Sequence, residues 1–225
     1  MSAAREASDG PELAALLDRG IDTLGLSLPP DARARLLAYV DMLAKWNRTY
    51  NLTAIREPQR MVTHHLLDCL AALPTLDGLA GDRELTLLDV GSGGGLPGVP
   101  IAIARPRWQV TTVEPVQKKG AFLTQAIAEL AIANARAAVV RVEDLTATAA
   151  FDVVISRAFS DLASFAAAAL RHVAHDGRLV AMKGVHPDAE LAELPASVEV
   201  VATPALAVPF LEGARHLVVI RRRAA

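Results

Sequence analysis

The sequence predicts an α/β protein with a doubly wound, mostly parallel sheet that follows a helical extension. Three observations support this fold class. Residues up to about 80 show only helical periodicity, later residues alternate short apolar runs with helical segments, and the last two apolar runs lie close together. Alternating strands and helices are typical of parallel crossover units, whereas a short connection favours a hairpin.

The extension contains three amphipathic helices. The first has its apolar stripe between Leu13 and Leu24, the second lies in residues 29–47, and the third begins near Pro58. A stretch rich in Gly and Asp, residues 76–84, is the expected linker. We therefore predict two units, an N-terminal helical extension at 1–80 and a ligand-binding domain at 81–225.

Seven strands are expected after the extension. The first five are separated by helical segments, and the last two are predicted to form a hairpin, which makes one strand antiparallel. The predicted strands are Leu85–Val90, Trp108–Glu114, Ala137–Val142, Phe151–Ser156, Arg178–Lys183, Val198–Ala202 and His216–Arg221.

Composition and charge exclude several classes of protein. The chain of 225 residues is 52% hydrophobic but has no apolar run long enough to span a membrane. Its N-terminus lacks the pattern of a secretory signal, and Cys69 is its single cysteine, so we expect a cytoplasmic protein without an internal disulfide. The net charge of −2 means that any nucleic-acid surface is local.

A glycine-rich segment follows the first strand. Gly91, Gly93 and Gly95 lie at the sheet edge where doubly wound folds bind ligands, before a helical segment. Together with Gly98, the last two also match G-x-G-x-x-G, a weak indication of a dinucleotide site. Asp89 argues against a dinucleotide, because its carboxylate would repel a pyrophosphate and favour a ligand with ammonium and sulfonium charges.

An acid ends the second strand at the position expected for ribose binding. Glu114 can accept hydrogen bonds from both ribose hydroxyls, and with the glycine segment it favours S-adenosylmethionine as the cofactor. The alternative is an acid that only stabilises the N-terminus of the next helix. Val142 and Glu143 are predicted to end the third strand, where they would lie against adenine; a solvated loop is the alternative.

Arg157 follows the fourth strand, beside the reactive end of such a ligand. Its guanidinium can hold a carboxylate or an RNA phosphate in a bidentate way. It can equally form an ion pair with Asp161 in the next helix.

Several motifs together resemble the RsmG (GidB) family. They are, in order, KWNRTYNLTAIREP, HHLLDC, LLDVGSGGGLPGVPIAI, KKGAFL, RVEDL, FDVVISRAF, AMKG and RHLVVI, and they extend over nearly the whole chain. The resemblance implies a Rossmann-like class I methyltransferase sheet and methylation of N7 of a guanine in 16S ribosomal RNA. It also implies cofactor contacts at Gly91, Leu96, the Val142–Glu143 pair and Arg157, with Glu114 as the ribose acid.

The chemistry of guanine N7 agrees with the residues present. N7 has an exposed lone pair and needs no deprotonation, so proximity and in-line alignment suffice. The sequence lacks the Asn/Asp-Pro-Pro-aromatic motif used for exocyclic amines, and Cys69 has no neighbouring Pro. Carbohydrate oxygens and small molecules stay open as acceptors.

Candidate residues for holding the acceptor come from both units. We assign Arg157, Lys183, His65 and Asn51 to the reaction centre, and Arg56, Lys118, Lys119 and Arg215 to RNA phosphates. His65 and Asp68 can form a polar pair towards the cleft or an ordinary pair on the helix surface. Adjacent histidines point about 100° apart on a helix, so His64, His65 and Cys69 do not predict a zinc site.

The sequence predicts an RNA methyltransferase that acts as a monomer on the small ribosomal subunit. Three other functions are alternatives to this prediction. An NAD-dependent oxidoreductase is suggested by the glycine spacing but opposed by Asp89. A non-catalytic RNA-binding module would tolerate a bulky residue at Gly91. A small-molecule methyltransferase would not need Arg56, Lys118 or Lys183.

Overall fold

The computed structural model describes residues 3–157 and 159–223, with side chains from residue 10 onward. The predicted extension is helical, and its third helix is interrupted by a π-helical segment at Val62–Leu67. The helices are α1 (Ala3–Thr23), α2 (Ala32–Tyr50), α3 (Pro58–Met61), α4 (Asp68–Leu70), α5 (Leu73–Ala80), α6 (Gly98–Ala104), α7 (Gln117–Glu129), α8 (Leu162–Ala169) and α9 (Asp188–Ala192).

The predicted seven-stranded, doubly wound sheet is confirmed. Its spatial order is β3-β2-β1-β4-β5-β7-β6, and β7 pairs antiparallel with both of its neighbours. The other pairs are parallel, so their carboxyl ends meet at one edge. The strands are β1 (Thr86–Val90), β2 (Gln109–Val113), β3 (Ala135–Ala138), β4 (Phe151–Ser156), β5 (Val173–Lys183), β6 (Val198–Ala202) and β7 (His216–Arg222).

Two strands differ from the prediction. Strand β3 ends at Ala138, which pairs with Val113 and accepts from the N–H of Glu114 at 3.1 Å; the next residue, Pro115, has no N–H with which a longer β3 could pair. Val142 therefore begins a short 3₁₀ helix and does not end a strand. Strand β5 starts five residues earlier than predicted, at Val173, which pairs with Phe151. The register then shifts, so that Arg178 pairs with Val153 and the polar stretch around Asp176 is left out of the pairing.

The predicted linker is partly helical. Helix α5 continues to Ala80 and ends where Gly81 takes a positive φ of 56°. Residues 81–85 alone connect α5 to the first strand of the sheet. Residues 1 and 225, the outer limits of the two predicted units, lie outside the described residues, and the division at residue 80 stays a prediction.

The sheet has a hydrophobic cluster on each face. Successive residues of β1 alternate between them: Leu87 belongs to the larger cluster and Leu88 to the smaller one. The N-terminal helices contribute to the larger cluster, where Trp46 packs edge-on against Phe122 of α7 with ring centroids 5.6 Å apart. Trp46 is therefore part of the packing, and the extension covers one face of the sheet.

Candidate functional site: a glycine loop beside a cationic cavity

The glycine loop contains two kinds of glycine. Gly91, Gly93 and Gly95 all have positive φ, at 70°, 57° and 93°. A Cβ on Gly91 would meet no protein atom within 4 Å, whereas one on Gly95 would approach Val99 Cγ2 to 2.7 Å and Leu123 Cδ2 to 2.9 Å. Gly91 therefore borders open space that a ligand can fill, and Gly95 allows close packing of α6 and α7.

Asp89 lies beneath the loop and not on its open side. It is fully buried, and its Oδ2 accepts a hydrogen bond of 2.9 Å from the N–H of Gly98, the first residue of α6. Burial raises the pKa of Asp89 to about 7, despite the hydrogen bond from Gly98, and its Oδ1 has no hydrogen-bond partner among the described residues. The carboxylate of Asp89 thus holds the start of α6 against the end of β1. The sequence had instead suggested a direct contact between Asp89 and the cofactor.

Glu114 fastens the other side of the loop. Its Oε2 accepts from the N–H of Gly93 at 2.9 Å, and its Oε1 accepts from the N–H of Val116 at 3.0 Å. A carboxylate has about four lone-pair sites, so both oxygens keep acceptor capacity for ribose hydroxyls. Val116 and Val140 are apolar yet exposed, at 40% and 37%, and they follow the ends of β2 and β3.

The remaining cofactor candidates differ in exposure. Leu96 is buried, and Glu143 is exposed on the 3₁₀ helix. Val142 is buried, and its carbonyl lies 2.8 Å from Nε2 of the buried His172. Because that carbonyl already has a partner, the Val142–Glu143 segment offers chiefly its remaining backbone groups and the Glu143 side chain.

A cavity of about 420 Å³ opens at the same sheet edge. The residues lining it come from the extension and from the ends of β4, β5 and β7; they are Ile55, His64, His65, Asp68, Arg157, Met182, Lys183, Gly184, Leu206, Arg215 and His216. Three cationic side chains and one carboxylate thus meet here from distant parts of the chain. The predicted residues Arg157, Lys183, His65 and Arg215 are brought together.

Asp68 is the centre of the polar network in this cavity. Its Oδ2 lies 3.4 Å from Nη1 of Arg157, and its Oδ1 accepts from Nε of Arg215 at 3.1 Å. Arg157 does not pair with Asp161, whose side chain instead caps α8 through the N–H of Ser164 at 2.7 Å. The carboxylate of Asp68 therefore joins one arginine from each side of the cavity.

His65 contacts the same arginine. Its Nδ1 lies 3.2 Å from Nη1 of Arg157, and its Nε2 lies 2.8 Å from Oγ1 of Thr53. Burial, and then the positive charge of Arg157, lower the pKa of His65 to about 4. His65 is therefore neutral at physiological pH, and it meets Asp68 through Arg157, which differs from the direct His65–Asp68 pair considered above.

Lys183 has a partner that the sequence did not suggest. Its Nζ lies 2.7 Å from Oε2 of Glu190 in α9, and the same oxygen accepts from the N–H of Leu162 at 2.8 Å. The end of β5 is thus tied to the start of α8. No spacing pattern in the sequence connects Lys183 to Glu190, because the loop after β5 decides their contact.

Four predicted residues lie outside the cavity lining. Asn51 ends α2 with a positive φ of 50°, and its Oδ1 accepts from Nη2 of Arg56 at 3.2 Å. Lys118 and Lys119 are in the first turn of α7, where Lys118 is exposed and Lys119 is half-buried. These residues can reach only a ligand that extends beyond the cavity.

Two contacts connect the glycine loop to its surroundings. The hydroxyl of Tyr39 in α2 donates to the carbonyl of Gly94. The Oγ of Ser156 donates to the carbonyl of Val90 at 2.8 Å, which holds the end of β4, and with it Arg157, beside the start of the loop. Nothing in the sequence pointed to the contact between Tyr39 and the glycine loop, since the position of Tyr39 in an apolar helical stripe indicated only packing.

No metal centre is found in the part of the chain that the structure describes. Among its His, Cys, Asp and Glu side chains, no group of three is arranged to hold an ion. No described helix is both long and apolar enough to span a membrane.

The sheet order, the glycine loop after β1 and the acid after β2 define a methyltransferase fold. Solved structures agree at the level of the fold. A ribosomal protein L11 methylase from Lactobacillus delbrueckii has a TM-score of 0.52 and 16% identity, with 75% of this chain and 80% of that chain covered. The glycopeptide N-methyltransferase MtfA in complex with S-adenosylmethionine has a TM-score of 0.56 and 13% identity, with 69% and 94% covered.

Within this class, the chain belongs to the GidB family, rRNA small subunit methyltransferase G, whose model matches residues 32–218. Ribosomal RNA small subunit methyltransferase G of Aromatoleum aromaticum is 49% identical, over 93% of this chain and 99% of that protein. The Neisseria meningitidis protein of the same name is 46% identical, over 92% and 97%. The predicted family and the methyltransferase class are confirmed.

Proposed function

We propose that this protein transfers the methyl group of S-adenosylmethionine to N7 of a guanine in 16S ribosomal RNA of the small subunit. The observation that carries the proposal is the position of the cationic cavity directly beside the open glycine loop, joined through Ser156 and Arg157. A cofactor on the loop and a nucleotide in the cavity would then be neighbours. The names of the relatives at 46–49% identity support ribosomal RNA as the acceptor.

The loop suits S-adenosylmethionine better than a dinucleotide. Glu114 is positioned to accept from the ribose hydroxyls, and the exposed Val116 and Val140 offer apolar contact to the faces of adenine. Gly91 leaves space for close approach. The carboxylate of Glu114, beside Gly93, makes the surroundings of the loop unfavourable for a pyrophosphate.

The reaction needs positioning and no base. The N7 lone pair forms a bond to the methyl carbon while the carbon–sulfur bond breaks, and the positive charge moves from sulfur to the purine. No proton leaves, so a neutral His65 and a paired Lys183 are consistent with the chemistry. The cavity residues contribute by holding the base in line with the methyl group.

The proposal also covers the location and the oligomeric state of the protein. The protein acts in the cytoplasm, where small subunits are its substrate. It acts there as a monomer. Arg56, Lys118 and Lys119 hold RNA phosphates beyond the cavity, where Arg56 and Lys118 are exposed and Lys119 is half-buried.

The test is methyl transfer from labelled S-adenosylmethionine into small subunits from a strain that lacks this enzyme, followed by chain cleavage at 7-methylguanine. We expect label at one guanine of the small subunit. Naked ribosomal RNA and transfer RNA serve as parallel substrates. Label in none of these RNAs, with cofactor binding intact, would refute an RNA acceptor and favour a small molecule.

The cofactor is tested on the free protein. We expect S-adenosylhomocysteine to raise the melting temperature and NADH to leave it unchanged. Glu114→Gln should weaken S-adenosylmethionine binding about tenfold or more, since an amide cannot accept from all partners of a carboxylate. Glu129→Gln, at the exposed end of α7, is the matched control and should bind as the wild type does.

A further inference from the structure

The proposed function leaves the carboxylate of Asp68 without a role. It is an acid, 5% exposed, in a cavity that otherwise presents cationic groups. It follows directly on the π-helical segment Val62–Leu67, which changes the register of the helix just before Asp68. Such segments are rare and occur frequently at functional sites.

Asp68 retains acceptor capacity after its two ion pairs are counted. Each carboxylate oxygen has two lone-pair sites. Oδ2 uses one for Arg157 and Oδ1 uses one for Arg215, so one site remains on each oxygen. A pair of adjacent acceptors, held rigidly by two arginines, is therefore available to a ligand in the cavity.

Arg215 has donors left as well. Its Nε donates to Asp68, and its Nη1 donates to the carbonyl of Ala214 at 2.8 Å. A guanidinium has five N–H groups, so further donors stay available beside the carboxylate. Together, Arg215 offers an N–H donor and Asp68 offers its two carboxylate oxygens as adjacent acceptors.

This order is complementary to the Watson–Crick edge of guanine. That edge presents O6 as an acceptor and then N1–H and N2–H as donors. Adenine presents a donor and then an acceptor, which would place its N1 lone pair against the carboxylate. The Watson–Crick edge lies on the six-membered ring, whereas N7 is on the five-membered ring, so an enzyme can hold this edge and leave N7 free. Enzymes that modify bases commonly read an extruded base through this edge.

We propose that Asp68 is the specificity-determining residue, whose carboxylate accepts from N1–H and N2–H of the target guanine while Arg215 donates to O6. This inference rests on the proposed function and deepens it. The cavity of about 420 Å³ is within the usual range for small-ligand sites, about 300–1,000 Å³. Arg157 completes the arrangement, since it holds Asp68 from the side of the glycine loop.

The first experiment compares mononucleotides on the wild-type protein saturated with S-adenosylhomocysteine. GMP, IMP and AMP share ribose and phosphate, so differences in their dissociation constants report the base. IMP lacks the N2 amino group and loses one hydrogen bond to a carboxylate. We expect GMP to bind about tenfold more tightly than IMP, and AMP to bind more weakly still. Equal binding of GMP and IMP, or no saturable GMP binding, would overturn the proposal without any variant.

The second experiment uses Asp68→Asn, with Asp188→Asn as the matched control. Asp188 is exposed near the rim and pairs with His186 at 3.0 Å. In the Asp68 variant one acceptor becomes an amide donor, so the preference for GMP over IMP should fall to twofold or less. A residue that only orients Arg157 and Arg215 would weaken both nucleotides equally and keep their ratio, and that result would refute base reading.

The outcomes separate this inference from the proposed function. If the wild type methylates small subunits but does not distinguish GMP from IMP, only the role of Asp68 is wrong. If no RNA is methylated, the proposed function itself fails.

Discussion

At the scale of single residues, the glycine loop shows how similar residues serve different purposes. Gly91 and Gly95 share a left-handed backbone, yet only Gly95 is enclosed by protein atoms. Asp89 and Glu114 are both buried acids that accept from N–H groups of the loop or of the start of α6, and we assign ribose binding to Glu114 alone. Their surroundings, and not their chemical type, distinguish structural residues from ligand-binding ones.

We predict that Gly91→Ala and Gly95→Ala have different consequences. Both variants incur a left-handed backbone cost of about 1–2 kcal/mol. Gly95→Ala adds a collision with Val99 and Leu123 and should lower the free energy of unfolding by about 1–3 kcal/mol more. Gly91→Ala should instead remain folded and lose most of its affinity for S-adenosylmethionine. Urea unfolding and calorimetric titration measure the two effects, and a Gly91 variant with normal affinity would contradict the assigned cofactor position.

We predict that ionisation of Asp89 makes stability depend on pH. Its pKa is raised from 3.8 to about 7 in the folded protein, so the folded state binds more protons than the unfolded state between these values. The contribution of Asp89 to stability is therefore complete below pH 4, decreases as the pH rises to about 7, and is constant above it. Across this window, the free energy of unfolding of Asp89→Asn relative to the wild type should rise by up to about 4 kcal/mol. A difference between the two proteins that does not change from pH 4 to 8 would show that Asp89 titrates normally.

At the scale of elements, the helical extension takes part in building the site. Helix α2 contacts the glycine loop through Tyr39, and the π-helical segment with α4 supplies one wall of the cavity. The sheet supplies the opposite wall from the ends of β4, β5 and β7. The cavity therefore exists only where the extension packs against the sheet.

We predict that Tyr39→Phe weakens both the fold and cofactor binding. The variant removes the only donor found for the Gly94 carbonyl among the described side chains, and a buried acceptor without a partner costs about 1–3 kcal/mol. Chemical denaturation gives the stability, and titration with S-adenosylhomocysteine gives the affinity. Tyr50→Phe, at the exposed end of α2, is the control and should change neither. Equal stability of the two variants would show that the contact contributes nothing.

We predict opposite effects for two helical glycines. A Cβ on Gly20 of α1 would lie 2.4 Å from Cδ1 of the buried Leu67, so Gly20→Ala should destabilise the protein by about 1–3 kcal/mol. Gly78 of α5 has free space, and Gly78→Ala should stabilise by about 0.5–1 kcal/mol through helix propensity. Thermal unfolding of both variants measures this; destabilisation by the Gly78 variant would contradict the free space there.

At the scale of the whole molecule, charge is distributed unevenly. The net charge is −2, yet the cavity combines Arg157, Lys183 and Arg215, and each of them has an acidic partner. Because these cations are paired, the cavity does not form a polycationic surface that attracts RNA over a distance. We therefore expect local contacts near the cavity to carry the recognition of RNA.

We predict a modest dependence of RNA binding on salt. Few phosphates are contacted, so the plot of log K against log salt concentration should indicate fewer than about ten released counterions. Lys118→Gln should reduce the slope by about one unit and leave base specificity unchanged. Filter binding of small subunits at several salt concentrations measures the slope. A slope that indicates ten or more counterions would point to a larger basic surface than the chain presents.

The sequence alone determined the fold class and the glycine loop, and it predicted the ribose acid, because each depends on local order along the chain. Periodicity identifies strands and helices, and the glycines and Glu114 directly follow strands whose carboxyl ends meet at one edge. The family motifs added the methyltransferase class and predicted its acceptor. Strand ends were less certain, as β3 shows, since the length of its neighbour decides where pairing stops.

Only the tertiary structure decided which charged residues act together. Asp68 lies between Arg157 and Arg215, which are 89 and 147 residues away in sequence, and Lys183 lies against Glu190, which the loop after β5 brings back to it. Asn51 and Lys118 had equally suitable side chains but lie outside the cavity. The physical reason is that ion pairs and cavities depend on how the extension packs against the sheet, and side-chain packing over such long separations leaves no periodic signal in the sequence.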